Sequence, residues 1–186
     1  MADRVTISLT ELHCEAQSEQ GGCEPYLFTS FFSVGTDGQV EITSPKHSDV
    51  RGAFADDVNA GETLPVPQEI GTCDLSAGGQ VGVIALVIDE DLSRDVAVDK
   101  AHEAFHAGVE EHLRGAGGGT IDEDQLRQDV LSRIRRAVSS SYDFSDLHRN
   151  QDDFLGLGVH HVQGTGAFEL PLGFAEDRFI LRGEIR

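Results

Sequence analysis

Two groups of side chains in this sequence have types and spacings suited to chemistry. The first is acidic: an apolar run ends in Asp89-Glu90-Asp91, and Gln151-Asp152-Asp153-Phe154-Leu155-Gly156 follows roughly sixty residues later. A fold that brings the two together concentrates carboxylates. Hard cations such as calcium require that, because they take about six to eight oxygen ligands. The second group is His102-Glu103-Ala104-Phe105-His106, an H-E-x-x-H pattern. Histidines four apart share one face of a helix and can hold zinc through imidazole, leaving the glutamate to activate a metal-bound water. Zinc-dependent hydrolysis is therefore the enzymatic alternative for this chain.

The zinc pattern is incomplete. His112 has the spacing of a third ligand in the metzincin pattern, but that pattern places glycine where Val109 stands, and the glycine here is Gly108. A Met-turn is absent as well, since Met1 is the only methionine. On a continuous helix at about 100° per residue, His112 lies about 120° around from His106. Glu123, another candidate ligand, is already explained as part of a helix cap. In the competing reading, His102 and His106 flank a buried face marked by Phe105. His160 and His161 are adjacent on a strand and point to opposite faces, so they do not chelate one ion as a pair. Gly78-Gly79-Gln80-Val81-Gly82 precedes a strand rather than a helix, and Gly115-Ala116-Gly117-Gly118-Gly119-Thr120 lacks the lysine of a nucleotide loop. With no serine or cysteine nucleophile motif either, the sequence reads as non-enzymatic.

The elements that must position these groups change character along the chain. The first ninety residues read as strands. Val5 to Leu12 alternates with period two, Tyr26 to Val34 is aromatic and β-branched, and the turn Gly35-Thr36-Asp37-Gly38 leads to Val40-Glu41-Ile42. Ser44 to Glu62 reads as a loop, and Leu64-Pro65-Val66-Pro67 as an edge or irregular segment. Val81 to Ile88 is a buried strand that runs into the first acidic group. After Ser93 the period becomes helical: Val98, Ala101, Phe105, Val109 and Leu113 mark one helix, ended by the glycines from Gly115 to Gly119. Leu126, Val130, Ile134 and Val138 mark a second, with Thr120 and Glu123 as its capping box. Strand character resumes at Gly158-Val159-His160-His161-Val162 and continues through Ala167 to Leu170 and Phe179 to Ile185.

Composition limits the partners. The chain has 186 residues, enough for one domain with its own core, and carries 33 acidic against 14 basic residues for a net charge of −19. Such a surface repels a nucleic-acid backbone, and it approaches an anionic membrane only through bound cations. The one dense basic cluster, Arg133, Arg135 and Arg136, sits among acids. Having two lysines and no tryptophan, the chain fits salt adaptation as well as any functional cause of acidity. No run approaches the roughly 18 apolar residues of a membrane span, and the N-terminus opens into strand alternation rather than a signal peptide. Synthesis in the cytosol is expected. Cys14, Cys23 and Cys73 have no zinc spacing, and although Cys14 and Cys23 could face each other across a loop, reduced thiols are expected.

The opening strand and Cys23-Glu24-Pro25-Tyr26-Leu27 resemble the start of a C-two domain, the calcium-dependent lipid-binding β-sandwich, in which Ser-Asp-Pro-Tyr and an aliphatic residue occupy that place. Asp89-Glu90-Asp91 resembles the acidic pair of that family's third loop, and Asp153-Phe154-Leu155-Gly156 its Asp-aromatic-aliphatic-Gly. The resemblance covers about 130 residues and implies calcium ligands Glu24, Asp89, Asp91 and Asp153. The chain departs from the pattern at Ser18, which stands with Glu19 where a first-loop aspartate is expected, and at Glu24, which replaces aspartate. The helices would occupy the third loop, covering or replacing the tip that inserts into lipid.

The expectation is a mainly β protein: one C-two-like antiparallel β-sandwich over residues 1–186, with a two-helix insertion at about 93–149. Its function would be a non-enzymatic calcium-binding or protein-interaction module that docks to a protein partner within a larger assembly. The hairpin would pack beside the sandwich, and replacing residues 94–149 with a short linker would leave a folded β domain if any apolar surface it covers tolerates water.

Overall fold

A computed structural model describes residues 3–18, 22–23, 25–43, 58–75, 77–89, 95–117, 121–139, 154–162 and 164–186. The strands are β1 (Asp3–Ala16), β2 (Pro25–Val34), β3 (Val40–Thr43), β4 (Thr63–Leu75), β5 (Gln80–Asp89), β6 (Phe154–Val162), β7 (Gly166–Phe174) and β8 (Asp177–Ile185). The helices α1 (Asp95–Ala116) and α2 (Glu123–Ser139) lie between β5 and β6. The protein is mainly β with a two-helix insertion, as the periodicities require.

Among the described residues, the eight strands belong to one antiparallel sheet in the order β3-β2-β5-β6-β7-β8-β1-β4. The two layers of the expected sandwich thus come from a single ladder that curls until its ends face each other. Gly71 of β4 lies so near Phe31 of β2 that a Cβ there would sit 2.1 Å from the ring. Enclosed by the curl is a core containing Leu9 and Leu12 of β1, Leu27 and Phe31 of β2, Val66 of β4, Val83 and Val87 of β5, Leu170 and Leu172 of β7, and Phe179 and Leu181 of β8.

The curl turns at β6 and β7. Among the described residues these strands meet in register only at Leu157 and Gly173. Glycines on β6 let the next strand cross closely: a Cβ at Gly158 would lie 2.4 Å from the Pro171 carbonyl oxygen, and one at Gly156 would lie 2.5 Å from the Gly173 nitrogen. Backbone cannot retreat as a flexible side chain can. Gly158→Ala should therefore destabilise by at least about 1–3 kcal/mol. Gly115→Ala, at a helical position with nothing within 4 Å, should instead stabilise by about 0.5–1 kcal/mol. Urea midpoints of the two variants should move in opposite directions.

β5 explains the position of the helices. Val81, Val83, Ala85 and Val87 face the enclosed core, whereas Ile84, Leu86 and Ile88 face outward into a second core. A strand apolar on both faces must be covered on both. The outer cover is the helical hairpin: Ala101, Phe105, Val109 and Leu113 of α1 and Leu126, Val130 and Ile134 of α2 are each at most 2% exposed and pack on Phe28, Phe32, Ile84, Leu86, Ile88 and Leu157. Gly108 brings the helices together, since its Cβ would already crowd Val130. Arg127 ties the hairpin to the sheet by donating to the Leu157 carbonyl at 3.1 Å. The hairpin lies beside the curled sheet as expected and seals an apolar face of it.

One local expectation changes and another is sharpened. α2 is capped by Asp122, whose Oδ1 accepts the Gln125 N–H at 3.0 Å, rather than by Thr120, which lies outside the described residues. Its first turn carries Glu123 and Asp124, favourable at a helix N-terminus. The Leu64–Pro67 segment, read as edge or irregular, belongs to β4, which runs on to Leu75 as the outermost strand beside β1. Register shifts at Ile7/Ser8 and Leu9/Glu11 accommodate it, and its prolines fit an edge position. α1 runs through Gly115 and ends at Gly117, whose φ of 56° suits a glycine C-terminal cap.

Candidate functional site

The acidic candidates are organised by β2, β5 and β6, which lie side by side in the sheet. Pro25 pairs with Asp89, and Ile88 pairs with Phe154. The first residue of β2, the last of β5 and the first of β6 thus lie within one residue of register at one end of three adjacent strands. Glu24 directly precedes Pro25, and Asp153 directly precedes Phe154. Glu24, Asp91 and Asp153 themselves lie outside the described residues, as does the Asp89 side chain. The topology places chain positions next to these candidates at one end of adjacent strands, with α1 and α2 inserted between Asp89 and Phe154.

The histidine motif sits on α1. Glu103 is exposed, while His102 and His106 are half-buried beside Phe105. The His102 ring stands edge-on to Phe28 of β2, with centroids 5.3 Å apart at 76°. Phe105 meets the same phenyl ring at 6.0 Å. His112 turns toward α2, where its Nδ1 lies 3.5 Å from Asp129 Oδ2. It therefore departs from the face carrying His102 and His106, as helical geometry requires. Among the described residues no group of three histidine, cysteine, aspartate or glutamate side chains converges at metal-binding distance. The contacts of His102 are those of a ring packed between helix and sheet.

The basic cluster lines a groove of about 1010 Å³ along the hairpin, together with Glu111, His112, Asp122 and Asp129. Arg133 is ion-paired with Glu111, and Arg136 donates to the Ser132 carbonyl at 3.1 Å. Its positive charge is matched within the groove. On the far side of the sheet, Arg182 of β8 bridges Glu11 of β1 at 2.5 Å and Glu169 of β7 at 2.7 Å, and these hydrogen bonds hold its pKa above the ordinary value.

His160 points inward enough to stack on Phe168, with centroids 4.9 Å apart, while its neighbour His161 is exposed. The strand-face argument thus holds for this pair. Burial, followed by the nearby His161, lowers the His160 pKa.

All three cysteines are buried free thiols. Burial pushes the Cys14 and Cys73 thiols up to about 11, the direction expected when the charged thiolate loses water. A meeting of Cys14 with Cys23 across a loop was open from the sequence, whereas the pairing of Cys73 with Ser33 was not, because it depends on which strands fold together. Cys73 is met by Ser33, and Cys14 by Cys23, with Asp177 and Glu62 nearby.

Among the described residues, no helix is long and apolar enough to cross a membrane. No protein-family model matches the chain, and no curated protein is significantly similar to it.

Proposed function

We propose that this chain is a non-enzymatic binding module of C-two-like type that holds calcium through Glu24, Asp89, Asp91 and Asp153 and docks to a protein partner. The observation that carries the reading is that Pro25, Asp89 and Phe154 lie within one residue of register at the same end of adjacent strands. A divalent cation would relieve the mutual repulsion of carboxylates carried on neighbouring strand ends. The donor chemistry fits calcium because every proposed ligand side chain is a carboxylate. The high acidity and the long hairpin favour a protein surface over lipid as the docking partner.

Calcium should raise the Tm of the full chain, by an amount that grows with the logarithm of calcium concentration above Kd and corresponds to about 2.7 kcal/mol at a hundredfold excess over Kd. Asp89→Asn combined with Asp153→Asn should abolish the rise without unfolding the apo protein. Differential scanning fluorimetry and isothermal calorimetry at millimolar calcium check this; no Tm shift together with no binding heat rejects the calcium site. Metal analysis of the purified chain addresses the enzymatic alternative. One equivalent of zinc, lost in His102→Ala, would replace this reading with the hydrolase.

A further inference from the structure

Cys14 and Cys23 are held by the same short turn. Cys14 donates its N–H to the Glu62 carbonyl at 2.9 Å and accepts from the Gly61 N–H at 2.7 Å. Cys23 exchanges backbone hydrogen bonds with Val58 at 3.0 and 2.8 Å. Between these anchors the chain reverses, with the Glu62 N–H donating to the Asn59 carbonyl at 3.1 Å. The turn therefore ties the end of β1 to Cys23, two residues before β2. Both cysteine side chains enter the enclosed core, at 0% and 1% exposure; the Cys23 thiol donates to the Val58 carbonyl at 3.6 Å and is a side-chain neighbour of Cys14.

We infer that Cys14 and Cys23 form a redox site that closes to an internal disulfide when the chain meets a peroxide. Neighbouring thiols whose backbones are anchored to one turn, and which share one core, need little backbone movement to reach disulfide geometry. In the first step one sulfur, as thiolate, attacks a peroxide oxygen; the O–O bond breaks, giving a sulfenic acid and one water. In the second, the other sulfur attacks the sulfenic sulfur and the hydroxyl leaves with the second thiol's proton as water. Altogether two S–H bonds and one O–O bond break, one S–S bond forms, and two electrons pass from sulfur to hydrogen peroxide, which leaves as two waters. Burial keeps the thiolate scarce and the site reduced until oxidant persists. Cys73 is an internal control: it is also buried but faces Ser33 rather than a thiol.

The test treats the folded full chain with hydrogen peroxide, then alkylates the remaining thiols in denaturant and maps the peptides by mass spectrometry. The expected product has lost two hydrogens, links Cys14 to Cys23 and carries one alkyl group, on Cys73. Its Tm should rise by on the order of 5 °C, reversibly with reductant, because the bridge restricts the unfolded chain. Cys73→Ala should retain the bridge, and Cys23→Ala should lose it. Should Cys23→Ala fail to fold, the wild-type peptide map still decides. Three alkylated cysteines after prolonged oxidation, a bridge that includes Cys73, or sulfinic acid at Cys14 or Cys23 without a bridge would each overturn the inference.

Discussion

Excising residues 94–149 and joining the ends with a short Gly/Ser linker should give a chain that self-associates instead of an isolated β domain. The linker itself is not the obstacle, since doubling a loop's length costs only about 0.6 kcal/mol. The obstacle is the face left behind: Phe28, Phe32, Ile84, Leu86, Ile88 and Leu157, each at most 3% exposed beneath the hairpin. At roughly 1.5–3 kcal/mol for each large apolar side chain, uncovering them forfeits on the order of 10 kcal/mol. That matches the total stability of a typical domain, about 5–15 kcal/mol. The excised chain should elute as aggregate and bind a hydrophobic dye. Replacing those six residues with threonine or serine in the same excision should restore a monomer whose circular dichroism shows strand without helix. A monomeric, strand-rich product from the unrescued excision would show that the hairpin is not needed as cover.

The sequence carried this architecture unevenly. In β5, the unbroken apolar run from Val81 to Ile88 announced a strand buried on both faces, yet which element covered the outer one depended on contacts far apart in sequence. The hairpin helices were legible because Ala101, Phe105, Val109 and Leu113 keep one face at i, i+4 spacing, and the structure buries all four. Their packing direction follows from β2 and β5 together, since Phe28 and Phe32 alternate to the same side as Ile84, Leu86 and Ile88. The continuation of β4 beyond Pro67 was hidden by Gly71 and by polar residues such as Gln68 and Glu69. Local propensity argues against a strand there, and pairing with β1 overrides it.

Site residues were harder to read for a physical reason. A carboxylate in a loop has the same local signature whether it binds a cation or faces water, so Glu24, Asp89, Asp91 and Asp153 rest on strand order rather than on their own neighbourhoods. Strand order did make one contribution: pairing Ile88 with Phe154 brings together chain positions separated by the whole hairpin. The helix cap shows the opposite limit. Thr120 and Asp122 each have an acceptor side chain followed three residues later by Glu or Gln, and two residues of offset decide which begins the helix. For the thiols, a possible meeting of Cys14 and Cys23 across a loop could be read from spacing, but the turn that holds both, through Val58 and Glu62, could not.

Phe105→Ala should destabilise the protein by about 3–5 kcal/mol, lowering Tm by on the order of 10 °C for a chain of this size. The ring is fully buried, meets Phe28, and sits where α1 covers the outward faces of β2 and β5. Removing it takes away apolar contact and leaves a cavity that two packed helices and a sheet fill only in part. Its neighbour Glu103 is exposed, so Glu103→Gln should change stability by no more than about 0.5 kcal/mol. A helix whose purpose is cover is sensitive at the phenylalanine and indifferent at the glutamate. A zinc hydrolase reverses that order for function, because the glutamate would activate the metal-bound water while contributing little to folding. Urea denaturation of both variants, with zinc content measured alongside, separates the cases. A Phe105→Ala loss below about 1 kcal/mol would show that α1 does not supply the outer core, whereas a full loss with silent Glu103→Gln and no bound zinc would make the H-E-x-x-H spacing a consequence of helix packing.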